Sequence, residues 1–452
     1  MTRRLVLPLL VLLLTGPALQ GALKGGCASV DITPPLGLTL IGSKGEPSDA
    51  VLDGLYAKAL VLSDGDTTIA MVSADLLYTP LDDITNPVRT IVEQKSGIPA
   101  QNILVCATHT HSGPEIFKRT KVPSEGRLDA ARIDQAYRET VVRKMAGAVA
   151  MAHSSMQEVK IGAAIGTLPE VVYNRRPKRA DGMVQTTFSL PAEVAATRRV
   201  QSLADGRTAV TFTLPPEQAP LTFGPIDPDV FVLRVEDANG DLAGSLIGFG
   251  CHPVCVYPYL STAVSADYPG YATRTVQKAE GGISLFALGL AGNAVPLQRD
   301  VGPCAQIGRA VGGEALRRLQ FVATTGDVTL VAQHREVTLP TRAKTTSPEP
   351  TEEQETPPEP IKTEIQVLRL GDIYILGLPG EILVEVGLAI KEKAGLAKLG
   401  IISLANDSIG YVCHAAAYDE GGYESGSATH LAPGAAEILI TESLALLKEM
   451  KP

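Results

Sequence analysis

The sequence predicts an α/β fold in which mixed β-sheets are flanked by helices, within one large domain at residues 23–452. Apolar runs occur in pairs joined by Asp-Gly or Gly-Asp turns, which is typical of β-hairpins, at 57–72 and 365–378. Segments with helical spacing of apolar residues occupy 84–96, 129–152, 382–395 and 434–449. Strand pairs mixed with helices favour mixed sheets over a purely parallel winding.

The bulk composition allows a large core and argues against several partners. The 452 residues are 45% hydrophobic and 20% charged, with a net charge of −9. A negative chain is poorly suited to bind nucleic acid or an anionic membrane surface. Tryptophan is absent and aromatic residues make up 4%, so an aromatic-lined carbohydrate groove is disfavoured.

The amino terminus has the pattern of a signal peptide, which we assign to residues 1–22. Arg3 and Arg4 precede the apolar stretch 5–14, and the small residues Gly16 and Ala18 follow. Such a stretch is too short to span a bilayer and suits a secretory signal; a retained anchor is the alternative. We therefore expect an exported protein (periplasmic, extracellular or at the cell surface) with at most peripheral membrane contact.

Three further features of the sequence concern the domain at residues 23–452. Residues 31–37 form an extended, turn-rich entry to it. Residues 345–360 are rich in Pro, Glu and Thr and are predicted to be a solvated loop. The six cysteines allow up to three disulfides, but their spacing lacks paired Cys-x-x-Cys motifs, so buried apolar thiols are preferred; they are Cys27, Cys106, Cys251, Cys255, Cys304 and Cys413.

Four apolar runs, each predicted to be a strand, lead into residues that can bind a metal. The run 103–107 precedes His109 and His111, and 245–251 precedes His252. In the same way, 373–378 precedes Glu381, and 401–404 leads to Tyr411. Loops at strand ends can converge on one crevice. Two histidines, a carboxylate and a weak fourth ligand would then form a hydrolytic zinc site.

Each of these residues also has an ordinary structural explanation. His252, which precedes a proline, can be a hydrogen-bonded turn residue. Glu381 can occupy the first turn of the following helix, where the helix dipole favours an acid. Tyr411 can simply be a core residue. The sequence alone leaves these alternatives open, although the joint pattern is stronger than its parts.

The chain resembles the neutral ceramidases, a family of zinc-dependent amidases, in blocks that occur in the same order. Segment 108–114, Thr-His-Thr-His-Ser-Gly-Pro, matches that family's most specific motif. The other blocks are 28–35, 174–177, 251–253, 265–270, 378–381 and 411–412, followed by Tyr418, Tyr423 and Glu424. The resemblance covers the catalytic domain nearly end to end and implies that the family's C-terminal immunoglobulin-like domain is missing.

The resemblance implies a role for each site residue. It assigns one zinc ion per chain to His109, His252, Glu381 and Tyr411. It makes His111 the proton-transferring histidine, and it makes Arg175 and Tyr423 the residues that hold and polarise the amide. The expected activity is hydrolysis of an N-acyl bond, with ceramide or a related N-acyl lipid as the first candidate substrate.

One departure from the family pattern bears on the substrate. Val295 stands in the block 293–296 where ceramidases carry a serine. A valine can neither act as a nucleophile nor donate a hydrogen bond, so hydrolysis would depend on metal-activated water. Two alternatives to a lipid amidase therefore remain: a zinc hydrolase of a small amide or ester, and an inactive relative that binds lipid or glycan.

Overall fold

The fold is built on three large β-sheets that contain both parallel and antiparallel strand pairs. The computed structural model describes residues 22–115, 135–342 and 359–451. The strands within these residues are β1 (Lys24–Asp31), β2 (Ala50–Val51), β3 (Tyr56–Ser63), β4 (Thr68–Ala74), β5 (Ile103–Ala107), β6 (Gln157–Glu158), β7 (Lys160–Thr167), β8 (Val172–Asn174), β9 (Arg199–Ser202), β10 (Thr208–Thr211), β11 (Pro225–Ile226), β12 (Asp229–Glu236), β13 (Leu242–Phe249), β14 (Ala263–Val264), β15 (Ile283–Leu288), β16 (Ala294–Pro296), β17 (Leu330–Leu339), β18 (Ile361–Leu370), β19 (Ile373–Gly377), β20 (Glu381–Ile382), β21 (Leu399–Ile402) and β22 (Tyr411–Val412).

Each of the four segments with helical spacing contains a helix, and further helices lie between them. Those in the described residues are α1 (Asn86–Ser96), α2 (Gln135–Ser154), α3 (Ala192–Ala195), α4 (Asp267–Glu280), α5 (Val301–Leu319), α6 (Val384–Ala394), α7 (Ala415–Glu420) and α8 (Ala435–Glu449). A π-helical turn at Leu81–Thr85 leads into α1. Among the described helices, none combines the length and apolar character needed to span a membrane.

Each large sheet has one parallel strand pair among antiparallel neighbours. The strand orders are β5-β4-β3-β1-β6, β15-β13-β12-β7 and β17-β18-β19-β21. The parallel pairs are β4 with β5, β13 with β15, and β19 with β21. Loops that follow the carboxyl ends of such strands are where sites form in α/β sheets. The loops after β5, β13, β19 and β21 lead to the four predicted metal ligands and to His111, whereas Arg175 follows β8 and Tyr423 follows α7.

Neighbouring residues of one strand enter two different cores, because a strand directs successive side chains to opposite faces. On β4, Ile69 and Met71 face a core shared by the three large sheets, whereas Ala70 and Val72 pack with α1 and α2. The far faces of the second and third sheets pack against α4, α5, α6 and α8 in the largest core. The layers therefore run helix, sheet, shared core, sheet, helix.

The predicted α/β class and both predicted hairpins are confirmed. Strands β3 and β4 pair antiparallel through the Asp-Gly turn, and β18 pairs with β19 through a turn in which Gly371 has φ 63°. One local alternative is excluded, because Glu381 belongs to β20 and α6 begins only at Val384. Glu381 therefore does not lie in the first helical turn.

Some sequence predictions fall outside the described residues. They are the signal peptide 1–22 apart from Ala22, the start of the helical segment at 129–134, and the acidic loop at 345–358. All six cysteines are described, and all are free thiols. Cys27 is half-buried and the other five are buried, which agrees with the preferred reading of small apolar thiols.

Candidate metal centre and active site

Loops from the three large sheets bring the four predicted metal ligands to one place. His109 lies two residues after β5, and His252 lies three residues after β13. Glu381 and Tyr411 open β20 and β22, where they are direct partners in a parallel pair. His109 has φ 69°, a left-handed conformation that is uncommon for a residue other than glycine. Such strain is retained at sites where the surrounding structure enforces it.

The four side chains converge at short distances. Oε2 of Glu381 lies 3.1 Å from Nε2 of His252 and 3.4 Å from Nε2 of His109. The hydroxyl oxygen of Tyr411 lies 3.4 Å from Nε2 of His252. All four residues are buried. Nitrogen and oxygen ligands of a tetrahedral zinc ion lie roughly 3.3 Å from one another, so these separations suit a small cation.

The protonation of the histidine rings favours a cation between these atoms. Nδ1 of His109 donates to the carbonyl of Leu77 at 3.0 Å, and Nδ1 of His252 donates to the carbonyl of Ala291 at 2.5 Å. In the neutral rings each Nε2 is therefore an acceptor. Acceptors that face a carboxylate oxygen repel it unless a cation lies between them. Histidines that bind metals commonly donate their other N–H to a carbonyl in this way.

Burial and neighbouring charges set the ionisation of the cluster. Burial, together with the nearby Arg175, lowers the pKa of His252 to about 4, so its ring is neutral at physiological pH. Burial opposes ionisation of Glu381, but the two histidines hold its pKa well below the ordinary value. Burial and the Glu381 charge raise the pKa of Tyr411. The centre thus presents a carboxylate, the neutral imidazole of His252 and a phenol, with the His109 ring beside them.

His111 lies beside this cluster. Its ring centroid is 4.9 Å from that of His109 and 6.0 Å from that of His252. The other side of the His111 ring stacks on Tyr257, with centroids 5.9 Å apart. One nitrogen from each of the three histidines lies within 4.8 Å of the others, so this trio is itself able to hold a metal ion. His111 is half-buried, whereas the other two histidines are fully enclosed.

Arg175 reaches the centre from the strand pair β8 and β16. Its Nη2 donates to the hydroxyl oxygen of Tyr411 and to the carbonyl of Gly292, both at 3.0 Å. Its Nε donates to Oε1 of Glu424 at 2.6 Å. Arg176 donates to the other oxygen of Glu424 at 2.9 Å. Both guanidinium groups are therefore buried against one carboxylate and are not exposed to solvent.

Tyr423 lies at the entrance to the centre. Its ring centroid is 5.7 Å from that of Tyr411 and 5.3 Å from that of Phe188. The guanidinium carbon of Arg175 lies 5.7 Å from the Tyr423 ring centroid. Tyr423 and Phe188 are 40% and 43% exposed. The positively charged guanidinium of Arg175 therefore lies beneath two aromatic rings, those of Tyr423 and Phe188, which are partly exposed to solvent and form the rim of the entrance.

The structure adds three residues that the sequence did not single out for the site. Glu424 is fully buried between two arginines. The Tyr78 hydroxyl donates to Oε1 of Glu381 at 3.1 Å across 303 residues of sequence. Tyr257 covers His111. Glu424 follows Tyr423 within a family block, which was an available signal; Tyr78 and Tyr257 had none, since each meets the site only through tertiary packing.

Val295 is fully buried in β16, opposite Tyr173 of β8. It lies two residues after Asn293, whose carbonyl accepts the backbone N–H of Arg175 at 2.8 Å. The valine therefore belongs to the core that supports Arg175. Its side chain adds apolar volume and no hydrogen-bonding group there.

Fold and centre together define an α/β protein with an enclosed His/Glu/Tyr cluster able to hold a cation. No protein-family model matches the chain. Among solved structures, the chain is similar to "neutral ceramidase from Pseudomonas aeruginosa", with a TM-score of 0.72 at 19% identity, covering 95% of this chain and 75% of that one. It is equally similar to a ceramidase described as complexed with C2, at TM-score 0.72 and 19% identity, covering 95% and 76%. The chain therefore has the neutral ceramidase fold, as the sequence resemblance predicted.

Proposed function

We propose that the chain is an exported zinc-dependent amidohydrolase that cleaves an N-acyl bond, with ceramide or a related N-acyl lipid as substrate. The observation that carries the proposal is the convergence of two imidazole nitrogens on one oxygen of Glu381, with the Tyr411 hydroxyl beside them. Two histidines and a carboxylate are the three protein ligands usual in hydrolytic zinc centres, and the phenol of Tyr411 would be a weak fourth ligand beside which a water could still bind.

The ligands proposed for zinc are His109, His252, Glu381 and Tyr411. Their nitrogen and oxygen atoms suit zinc better than a hard cation, which prefers oxygen alone. When bound, zinc supplies Lewis acidity that lowers the pKa of water to about 7. The carbonyls of Leu77 and Ala291 hold the two rings in the tautomer that leaves Nε2 free to bind.

Three residues around the ligands take the remaining roles. His111, half-buried next to His109, moves a proton toward the amine leaving group, for which imidazole titrates in the right range. Arg175 lies with its guanidinium against the Tyr411 hydroxyl and presents positive charge where the amide oxygen becomes negative. Tyr423 at the rim orients the substrate and donates a hydrogen bond to the same oxygen.

The choice of an N-acyl lipid has two supports besides the sequence motifs. Structures with the same fold are described as ceramidases. The rim also exposes aromatic side chains next to Arg175, with Phe188 at 43% and Tyr423 at 40% exposure. Exposed apolar side chains gathered beside a site are typical of surfaces that bind apolar ligands. Export is inferred from the amino-terminal pattern alone.

The proposal is tested by assaying purified protein on a substrate panel after zinc loading, with a chelator-treated sample as control. We expect release of fatty acid from detergent-dispersed ceramide only in the zinc-loaded sample. Turnover of soluble N-acyl compounds without ceramide cleavage would support the small-amide alternative. Protein that binds ceramide, holds no zinc and hydrolyses no amide would contradict an enzymatic function.

Export is tested separately, by sequencing the amino terminus of the protein recovered from the periplasm or medium. The proposal predicts a mature chain that begins near residue 23, just before β1. An intact amino terminus on protein recovered with the cytoplasm would contradict export and leave the chemistry untouched.

A further inference from the structure

A second group of metal-binding side chains lies outside the candidate active site. It consists of Cys255, in the loop after β13, Asp267, the first residue of α4, and Cys304, in the first turn of α5. One ligand atom from each lies within 4.8 Å of the others. All three residues have 0% exposure. The group therefore joins three separate parts of the chain inside the largest core.

We infer that Cys255, Asp267 and Cys304 form a second metal site, which takes a thiophilic divalent cation such as Zn²⁺. Sγ of Cys304 lies 3.7 Å from Oδ1 of Asp267. In a tetrahedral zinc site a sulfur and an oxygen ligand are separated by roughly 3.5–3.7 Å. The separation therefore fits a shared cation, with one coordination position left for a water molecule.

The carboxylate of Asp267 is already fixed in orientation. Its Oδ1 accepts the N–H of Tyr268 at 2.7 Å, and its Oδ2 accepts the N–H of Val256 at 2.9 Å. Each carboxylate oxygen has a second lone pair, and that of Oδ1 accepts the Cys304 thiol, so it is released to a metal when this thiol loses its proton. Hydrogen bonds of this kind orient metal ligands and lower the cost of assembling the site. Asp267 is thus held in position before a cation arrives.

Charge balance favours a divalent ion. Burial raises the pKa of the Cys255 thiol to about 12, and the pKa of Cys304 is also raised, through its hydrogen bond with Cys255 and through burial. Both are thiols until a cation displaces the two protons to solvent as the two sulfur–metal bonds form. Two thiolates and a carboxylate total three negative charges. A divalent ion leaves one, and the partly buried Arg299, which interacts electrostatically with Cys255, offsets it.

The site has a structural consequence for the active site. Cys255 is three residues from His252 and two from Tyr257, the residue that stacks on His111. A cation bound to Cys255, Asp267 and Cys304 therefore ties the segment that carries these residues to α4 and α5. The inference does not depend on the proposed function, since these ligands are distinct from those of the His/Glu/Tyr cluster.

The test uses the full chain, stripped of metal and titrated with Co²⁺. Cobalt bound by thiolates shows a sulfur-to-metal charge-transfer absorption that nitrogen and oxygen ligands do not produce. We expect this band in the wild-type protein and expect Cys304→Ser to abolish it. Cys27→Ser, which alters a half-buried cysteine on β1, is the matched control and keeps the band.

Metal counting gives a second readout. We expect two zinc ions per wild-type chain, one in Cys304→Ser and one in His109→Ala, whose remaining ion still reports a thiolate band after cobalt exchange. Absence of the band from the wild-type chain overturns the inference even if Cys304→Ser fails to fold. Mass spectrometry of unreduced protein that finds Cys255 and Cys304 joined as a disulfide overturns it as well. Neither result affects the His/Glu/Tyr centre, whose failure would show instead as loss of the other ion.

Discussion

Glu381 and Tyr411 are direct partners across β20 and β22, two parallel strands of two residues each. The N–H of Glu381 donates to the carbonyl of Gly410 at 3.0 Å, and the N–H of Leu383 donates to that of Val412 at 3.2 Å. This short pair fixes a carboxylate and a phenol side by side. The two histidines come from the first and second sheets, so the centre depends on how the three sheets pack.

Replacing His109 with alanine should remove both metal and activity. The substitution deletes one of the two nitrogens that face Oε2 of Glu381, and a zinc centre that loses a strong ligand binds weakly. Metal content and amide hydrolysis are measured on the same preparation. His334→Ala, which changes an exposed histidine on β17, is the control and should keep both.

Replacing His111 with alanine should leave the metal bound and slow hydrolysis about 100-fold, the usual scale for a general acid–base group. The reason is that His111 lies beside the four proposed zinc ligands but is not one of them. The measurement is kcat together with zinc content. If the metal is lost as well, His111 is a ligand within the three-histidine group; normal turnover would remove it from the mechanism altogether.

Replacing Glu424 with glutamine should destabilise the protein by about 3–5 kcal/mol, because two buried guanidinium groups lose their shared carboxylate. Urea unfolding measures the loss. The control is Glu449→Gln, whose ion pair with Arg335 lies at the surface and should contribute less than about 1 kcal/mol. If the two substitutions lower the free energy of unfolding equally, the buried ion pairs of Glu424 contribute no more to stability than a surface ion pair.

The stability of the folded protein should depend on pH through the carboxylate of Glu424. Burial opposes its ionisation, but Arg175 and Arg176 hold the pKa of Glu424 below its ordinary value of 4.5. The folded state therefore binds this proton less tightly than the unfolded state. Its contribution to stability is present above pH 4.5 and is lost as the pH falls through the depressed pKa. Urea unfolding between pH 3 and 6 should show a shallower decline for Glu424→Gln than for the wild type.

Introducing a hydroxyl at position 295 tests the substrate. Val295→Ser should raise kcat/KM on ceramide if the hydroxyl that ceramidases carry at this position contacts the substrate. Val295→Thr should have the same effect, and its side chain has nearly the volume of valine. Because the position is fully buried, each hydroxyl should cost about 1–3 kcal/mol of stability. A soluble N-acyl substrate is the control and should not respond. No gain on ceramide with either variant favours another amide as the natural substrate.

The candidate site was predictable where function follows local pattern. His109, His111, His252 and Glu381 each come shortly after a short apolar run, and the structure confirms that those runs are strands. Glu424 was not predicted as a site residue because its role depends on ion pairs with two arginines that lie some 250 positions away in sequence. Tyr257 was missed for the same reason, since its contact with His111 exists only in the folded chain.

The sequence by itself determined the α/β class, the two hairpins and the side chains able to bind a metal, because periodicity and turn chemistry act between near neighbours. The packing of three sheets decided which of those side chains meet, as in the hydrogen bond between Tyr78 and Glu381. Packing also decided their ionisation, as at His252 and Glu381. The physical reason is that distance and exclusion of water belong to the folded chain and not to any one segment of it.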